Sequence, residues 1–239
     1  MSSRSKLFAV LLFAGACLAD GLSAAPLDAF GGLAGWKLTL PVDTPAKGVP
    51  DEIPESALPT FADARCFHLD GGGRLIFRAR CDGVTTRGSK YPRSELREMD
   101  GSREAAWDVA DTKIRGLDLV FAVTHLPEAK PHVVCAQIHD ASRDVLMVRL
   151  EGSKLLLERT GREDVVLNRN YELGEPVILR IEAGAGRIRV WYQDVLRAEW
   201  AETAKGCYFK VGCYAQSNVA KGDRPDAYAE VRFTVIERR

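Results

Sequence analysis

The sequence has no excess of charge of either sign. Among its 239 residues, 33 Lys and Arg balance 33 Asp and Glu, so the net charge gives no reason to expect nucleic acid or an acidic membrane surface as a partner. It also lacks internal repeats, low-complexity tracts and any apolar run of the roughly 20 residues that a membrane span needs. With 46% apolar residues, the chain can bury a core and is not disordered.

Metal-binding cysteine motifs are also absent. There is no Cys-x-x-Cys pair, and no close metal-ligand spacing relates the four histidines, which are His68, His125, His132 and His139. We therefore expect no metal site. Cys66 and Cys81 flank a predicted hairpin at similar distances from its turn, which would allow a disulfide. Cys207 and Cys213 would be about 20 Å apart in an extended segment and could not pair.

The first 25 residues have the layout of a secretory signal peptide. Arg4 and Lys6 precede an apolar run over residues 7–19, and small residues follow at 23–25. A buried N-terminal helix and lipid attachment at Cys17 are the alternatives. We predict export to the periplasm or the cell exterior, with residues 26–239 forming a single domain and the protein a monomer.

The rest of the chain is rich in short segments of Val, Ile, Leu, Phe and Tyr, separated by Gly, Pro, Asp and Asn. These segments predict strands over residues 36–41, 65–69, 74–80, 93–99, 114–125, 132–139, 145–150, 154–160, 177–183, 187–193, 207–216 and 228–236. Turns at 70–73, 151–153 and 183–186 predict hairpins, and helical turns are expected near 55–63 and 102–107. The pattern indicates an all-β jelly-roll sandwich of two large, curved antiparallel sheets.

Basic residues concentrate between residues 65 and 97, where eight Lys and Arg face three Asp and Glu. A solvated charged face is the ordinary explanation of such a run. Alternation along a strand, however, puts Arg93, Glu95 and Arg97 on one face. Glu95 would then hold two guanidinium groups in fixed directions, and such groups bind carboxylates bidentately.

Two further segments place polar side chains on one face of a predicted strand. Gln137 and His139 share a face, although a lone histidine is more often structural than catalytic. Over residues 207–216 one face carries Tyr208, Lys210, Gly212, Tyr214 and Gln216, whereas the other face is apolar. An amphipathic strand with its polar side in water would look the same. The tyrosines and Gly212 favour a sugar-binding groove, because aromatic rings stack on pyranose faces and glycine leaves space.

Together these segments resemble a known family. Three segments are similar, in order and approximate spacing, to three blocks of the polysaccharide lyase family 7 alginate lyases: Arg93-Ser94-Glu95-Leu96-Arg97, Gln137-Ile138-His139 and the segment from Tyr208 to Gln216. A fourth segment, Trp36-Lys37-Leu38-Thr39-Leu40-Pro41, is similar to that family's opening strand. The resemblance covers nearly all of residues 35–236. It implies a concave substrate cleft, no metal or other cofactor, and β-elimination of alginate, an acidic polysaccharide of mannuronate and guluronate. Residues 81–90 are expected to form a loop over that cleft, whose glycines permit lid motion.

The residue types suit this reaction. Neutralising the carboxylate of a uronate makes the adjacent C5 proton more acidic, and Arg93, Gln137 and His139 could do so by charge and hydrogen bonds. A base then removes that proton and an acid protonates the O4 leaving group. The resemblance makes Tyr214 the acid and either Tyr214 or His139 the base. The substrate-binding or supporting residues are then Glu95, Arg97, Tyr208, Lys210 and Gln216.

Three other functions fit part of the pattern. A retaining glycoside hydrolase needs two carboxylates about 5–5.5 Å apart; Glu98 and Asp100 are such a pair, but alternation points them away from Arg93. A non-catalytic carbohydrate-binding module would need only the positive groove and the tyrosines. A lyase could also act on another polyuronate, such as glucuronan.

Overall fold

The computed structural model describes residues 27–44 and 46–239; the predicted signal peptide over residues 1–25, with Cys17, lies outside the described residues. The described residues form sixteen strands: β1 (Trp36–Thr39), β2 (Glu52–Ile53), β3 (Phe67–Leu69), β4 (Leu75–Arg80), β5 (Arg93–Asp100), β6 (Arg103–Glu104), β7 (Arg115–His125), β8 (His132–His139), β9 (Asp144–Glu151), β10 (Lys154–Arg159), β11 (Val165–Asn168), β12 (Val177–Gly184), β13 (Arg187–Tyr192), β14 (Val195–Ala201), β15 (Tyr208–Ala215) and β16 (Tyr228–Arg238). Three short 3₁₀ helices span Leu27–Leu33, Glu55–Thr60 and Val219–Lys221. None of these helices has the length and apolar character needed to cross a membrane.

The strands form two antiparallel sheets. The nine-stranded sheet has the order β11-β10-β9-β8-β15-β5-β1-β2, with β6 paired to β5, and the seven-stranded sheet has the order β14-β13-β12-β7-β16-β4-β3. Strands that are distant in the chain are therefore neighbours, as in other jelly-roll sandwiches. The predicted fold class is confirmed.

The core lies between the sheets and follows from the alternation of side chains along each strand. On β15, Phe209, Val211 and Cys213 are almost completely buried. They point toward the seven-stranded sheet, where Phe77 and Phe233 pack edge to face with ring centroids 5.4 Å apart. Burying one such side chain contributes about 1.5–3 kcal/mol, so the apolar face of β15 fixes which of its residues point outward.

Four strands were not predicted: β2, β6, β11 and β14. Two of them consist of only two residues, and β14 is an edge strand whose side chains are largely exposed. Such strands form because a neighbouring strand supplies hydrogen-bond partners, and their own sequence carries little signal. The helical turn expected near 102–107 is wrong, since this segment forms β6 and Trp107 pairs with Cys207. The turn expected near 55–63 is confirmed as a 3₁₀ helix.

The three predicted hairpins are confirmed, because β3–β4, β9–β10 and β12–β13 each pair across the expected turn. The Cys66–Cys81 disulfide is wrong. Arg78 N donates to Cys66 O at 3.0 Å, so Cys66 lies opposite Arg78 and Cys81 lies beyond the end of β4. All five cysteines of the described residues are free and buried.

Candidate active site

The three segments singled out in the sequence are adjacent central strands of the nine-stranded sheet, in the order β8, β15, β5. Their register aligns Tyr208 with His139, and Lys210 with Gln137 on one side and Arg97 on the other. Tyr214 is paired with Arg93. The side chains that alternation assigned to one face of each strand therefore come together.

These side chains line a cleft of about 710 Å³ on the outer face of the sheet. The predicted site residues among its walls are Arg93, Arg97, Gln137, His139, Tyr208, Lys210, Tyr214 and Gln216. The remaining predicted site residue, Glu95, is buried beneath them with 1% exposure. Residues 86–89 also line the cleft, so the loop predicted over residues 81–90 does border the site.

Glu95 connects the strands from below. Its carboxylate accepts hydrogen bonds from Arg93 Nη1 at 2.9 Å, from Gln137 Nε2, and from Lys210 Nζ at 2.6 Å. Burial alone would raise the pKa of this carboxyl group, but the charges of Lys210 and Arg93 outweigh burial and hold the pKa below its ordinary value. Glu95 is thus an ionised anchor that positions three groups of the cleft.

Lys210 contributes a cation whose charge depends on pH. Burial lowers the pKa of its amine to about 8, and the neighbouring Arg93 acts in the same direction, whereas Glu95 opposes the shift. At neutral pH the amine is charged and adds to the positive potential of the cleft.

The two arginines of the first segment cover the two tyrosines of the third. The guanidinium carbon of Arg93 lies 3.7 Å from the ring centroid of Tyr214, and that of Arg97 lies 3.7 Å from the ring centroid of Tyr208. The expectation that Glu95 orients both arginines is wrong for Arg97. This side chain pairs instead with Glu104 at 3.0 Å, because the unpredicted strand β6 brings that carboxylate to the cleft.

His139 is held at one ring nitrogen. Nδ1 lies 2.5 Å from Asp140 O and 3.1 Å from the Tyr208 hydroxyl. Because a carbonyl oxygen can only accept, Nδ1 carries the proton and Nε2 carries the lone pair. Burial lowers the pKa of the imidazole, so the neutral, basic form predominates at neutral pH.

Tyr214 is held at two places. Arg93 covers its ring, and its hydroxyl oxygen lies 3.1 Å from Ser89 Oγ. Sequence reasoning missed Ser89 as a site residue, since no periodicity relates the loop before β5 to a residue of β15. Other cleft residues that it missed include Lys37, Thr39, Arg143 and Arg149. Lys37 and Thr39 lie on β1, Arg149 lies on β9 and Arg143 lies in the turn before β9. These strands flank the central three, and alternation alone does not predict the order of strands.

Several buried donors in the cleft have no hydrogen-bond partner among the described residues. Arg93 Nε, Arg97 Nε and Gln216 Nε2 are of this kind. Buried polar groups are normally paired, but these three atoms are shielded by the side chains packed around them, so they are not themselves exposed to a ligand. The ordinary alternative, a solvated charged face, does not explain why Arg93 and Gln137 are buried side by side on one buried carboxylate, that of Glu95.

The sequence predicts that Gly212 leaves space for a sugar, but in the structure this glycine has a different role. It lies in an irregular register between β15 and β8, and its φ is 151°. A Cβ atom there would lie 2.4 Å from Ser94 O and 2.8 Å from Glu95 Cα. The glycine therefore lets β5 and β15 approach each other directly beneath the site.

Substituting Gly212 by alanine is expected to lower the free energy of unfolding by roughly 2–5 kcal/mol, because backbone strain and the clash with β5 act together. Gly152→Ala is the matched control: its φ is also positive, at 58°, but nothing lies within 4 Å of its Cβ position, so the expected loss is about 1–2 kcal/mol. Urea unfolding measures both values. Equal losses would show that the close approach of β5 is unimportant.

The carboxylate pair considered for glycoside hydrolysis lies elsewhere. Glu98 and Asp100 line a separate pocket on the other side of β5. Glu98 accepts from Trp107 Nε1 at 2.8 Å, from Phe209 N at 2.9 Å and from Arg238 Nη1 at 3.1 Å. These bonds engage the carboxylate in structural contacts. Within the described part of the chain, no cluster of three or more His, Cys, Asp or Glu side chains is arranged to hold a metal ion.

Comparison with known proteins agrees with this geometry. A family model described as alginate lyase matches residues 32–238. The solved structure of alginate lyase AlgAT5 from polysaccharide lyase family 7 is 40% identical, with a TM-score of 0.85 over 91% of this chain and 99% of that one. An alginate lyase from Corynebacterium sp. is 38% identical, with a TM-score of 0.82 over 90% of this chain and 97% of that one.

The curated relative is matched over a shorter stretch. An alginate lyase of Klebsiella pneumoniae is 40% identical over 77 residues, which are 31% of this chain and only 25% of that protein. The fold and the cleft are thus those of a jelly-roll polysaccharide lyase. The chain belongs to the alginate lyases of polysaccharide lyase family 7.

Proposed function

We propose that this protein depolymerises alginate by β-elimination at the 4-O-glycosidic bond, leaving a 4,5-unsaturated uronate at the new non-reducing end. The observation that carries the proposal is the convergence of Arg93 and Gln137, both held by the buried Glu95, with a basic imidazole and a phenol in one cleft. A cleft of donors and cations suits a polymer that carries a carboxylate on every sugar.

Arg93 and Gln137 neutralise the carboxylate of the reacting sugar. Each has one donor engaged by Glu95, which leaves further N–H groups of the guanidinium and the amide for the substrate. Hydrogen bonds and positive charge at this carboxylate stabilise the enolate-like transition state that forms when C5 loses its proton. Because Glu95 fixes both groups before substrate arrives, little reorganisation is needed.

His139 and Tyr214 move the protons. The lone pair on His139 Nε2 makes this residue the base where the C5 proton and the leaving group lie on opposite sides of the ring, as in guluronate. In that route Tyr214 protonates the O4 leaving group. Where both lie on the same side, Tyr214 in its phenolate form takes the C5 proton and passes this proton to O4. Tyr208, Arg97, Lys210 and Gln216 bind neighbouring parts of the chain.

The products test the proposal directly. Elimination yields a double bond conjugated to a carboxylate, so we expect ultraviolet absorbance to rise in step with new reducing ends when alginate is the substrate. Reducing ends without absorbance would indicate a hydrolase, and neither signal would indicate a binding module. Faster absorbance growth on glucuronan than on polymannuronate, polyguluronate or mixed alginate would assign the enzyme to another polyuronate.

Substrate affinity should fall as pH rises through about 8. Below this value Lys210 is charged, and above it the amine is neutral, so the cleft loses one positive charge that faces a polyanion. We expect KM for alginate to rise severalfold between pH 7 and pH 9 in the wild type. Lys210→Met should show at both pH values the KM that the wild type reaches at pH 9, because its side chain is neutral throughout. A step that persists unchanged in Lys210→Met would assign it to another group.

A further inference from the structure

Ser89 lies where the cleft loop meets β5. Gly88, with a φ of 87°, turns the chain just before it, and Ser89 N donates to Thr86 O at 3.0 Å. On the other side Asn218 Nδ2 donates to Lys90 O at 2.7 Å. The backbone on both sides of the half-buried Ser89 is therefore held, and its Oγ lies 3.1 Å from the Tyr214 hydroxyl oxygen.

The donors and acceptors around Ser89 Oγ determine the direction of this bond. Ser89 Oγ lies 3.1 Å from Tyr91 O, which can only accept, so the single hydroxyl proton of Ser89 is directed there. Tyr91 N donates to Ser89 Oγ at 3.2 Å. Ser89 therefore accepts from Tyr214 in the resting site, and the phenol proton points toward the loop.

We propose that Ser89 is a positioning residue for Tyr214, which sets the direction of the phenol and then becomes the hydrogen-bond donor to the phenolate. This rests on the proposed function. When the Tyr214 proton passes to the O4 leaving oxygen, the bonding electron pair stays on the phenol oxygen. The Ser89 hydroxyl rotates from Tyr91 O to this oxygen, keeping its own proton. No proton leaves Ser89. The original arrangement returns when His139 releases the C5 proton to water and Tyr214 takes a proton from water.

Arg93 cannot replace this contact. Its guanidinium covers the face of the Tyr214 ring, which favours negative charge on the ring but does not direct the hydroxyl within the ring plane. Other charged or titratable groups on the surrounding elements include Glu95 and Arg97 on β5, His132 and His139 on β8, Tyr208 and Lys210 on β15, and Arg87 and Lys90 in the loop. All of them remain in the variants below, so their effects cancel in the comparison.

The test compares Ser89→Ala with Ser89→Thr. Hydrogen bonds to charged groups are stronger than bonds between neutral groups, so we expect Ser89→Ala to lower kcat roughly tenfold or more, with KM for alginate within about twofold of the wild type. Ser89→Thr keeps the hydroxyl and should restore most of kcat. A merely structural contribution of the loop would instead change KM or thermal stability.

Ser153→Ala is the matched control. Ser153 lies in the β9–β10 turn outside the cleft, and its hydroxyl also donates to a backbone carbonyl, Arg169 O, at 3.2 Å; this variant should keep wild-type kcat. Wild-type kcat in Ser89→Ala, or equal losses in Ser89→Ala and Ser89→Thr, would overturn the inference. If either result is found while Tyr214→Phe is inactive in the same assay, only the proposed role of Ser89 is contradicted. If Tyr214→Phe is fully active, the proposed role of Tyr214 is contradicted as well.

Discussion

Replacing Tyr214 by phenylalanine is expected to lower kcat by about 10²- to 10⁴-fold, the usual contribution of a general acid or base. The ring can still lie against Arg93, which packs 3.7 Å from its centroid, so the cleft keeps its shape. Binding of alginate oligosaccharides should therefore remain within a few-fold of the wild type. Initial rates from product absorbance and calorimetric binding measure the two effects separately.

Tyr192→Phe provides the control for this substitution. Tyr192 lies on β13 of the other sheet, and its hydroxyl contacts Asn168 at 3.5 Å, so its loss should leave kcat unchanged. Near-wild-type turnover by Tyr214→Phe would show that the acid is a different group. A parallel loss of binding and turnover would mean that Tyr214 holds the substrate without transferring a proton.

Arg93→Ala should produce the second large effect, a fall in kcat of about 10²- to 10³-fold, the range for removing one group that stabilises a developing anion. The variant also leaves the buried Glu95 with one charged partner fewer and uncovers the Tyr214 ring. Its loss is therefore expected to exceed that of Arg93→Lys, which keeps the charge. Rates at saturating alginate, with the melting temperature as a check on folding, measure it.

Lys90→Ala separates a specific from a diffuse role of charge. Lys90 is the nearest basic residue before Arg93 in the sequence, but it is exposed and outside the cleft lining. Its removal should change KM slightly at low salt and leave kcat intact. Equal losses of kcat in Arg93→Ala and Lys90→Ala would indicate that the protein binds the polyanion through its overall positive potential.

Side-chain alternation predicts which side chains of the three central strands share a face. It assigned Arg93, Glu95 and Arg97 to one face of β5, and Gln137 with His139 to one face of β8, as the structure shows. The opposite face of β15 is apolar, and its burial in the core determines which side chains of this strand point outward. Alternation does not predict which strands are neighbours, because pairing between strands that are distant in the chain depends on the whole sheet. Only the resemblance to a family indicated that these segments share one cleft.

The errors have the same origin. The sequence pairs Arg97 with Glu95 because they share a strand face, whereas in the structure Glu104 on β6, a two-residue strand without its own pattern, takes that place. The sequence also predicts space for substrate at Gly212, although the missing side chain serves the contact between β15 and β5. Ser89 could not be found, because only the folded loop brings it to Tyr214.

The position of β8, β15 and β5 in the middle of the nine-stranded sheet affects how the protein tolerates partial opening. β15 is hydrogen-bonded to a strand on each side, whereas β2 and β11 are the edge strands of the sheet. Fraying begins at margins, so deuterium should enter the outermost strands long before it reaches β15. The enzyme can lose order at both ends of its groove and still keep its reacting groups in register.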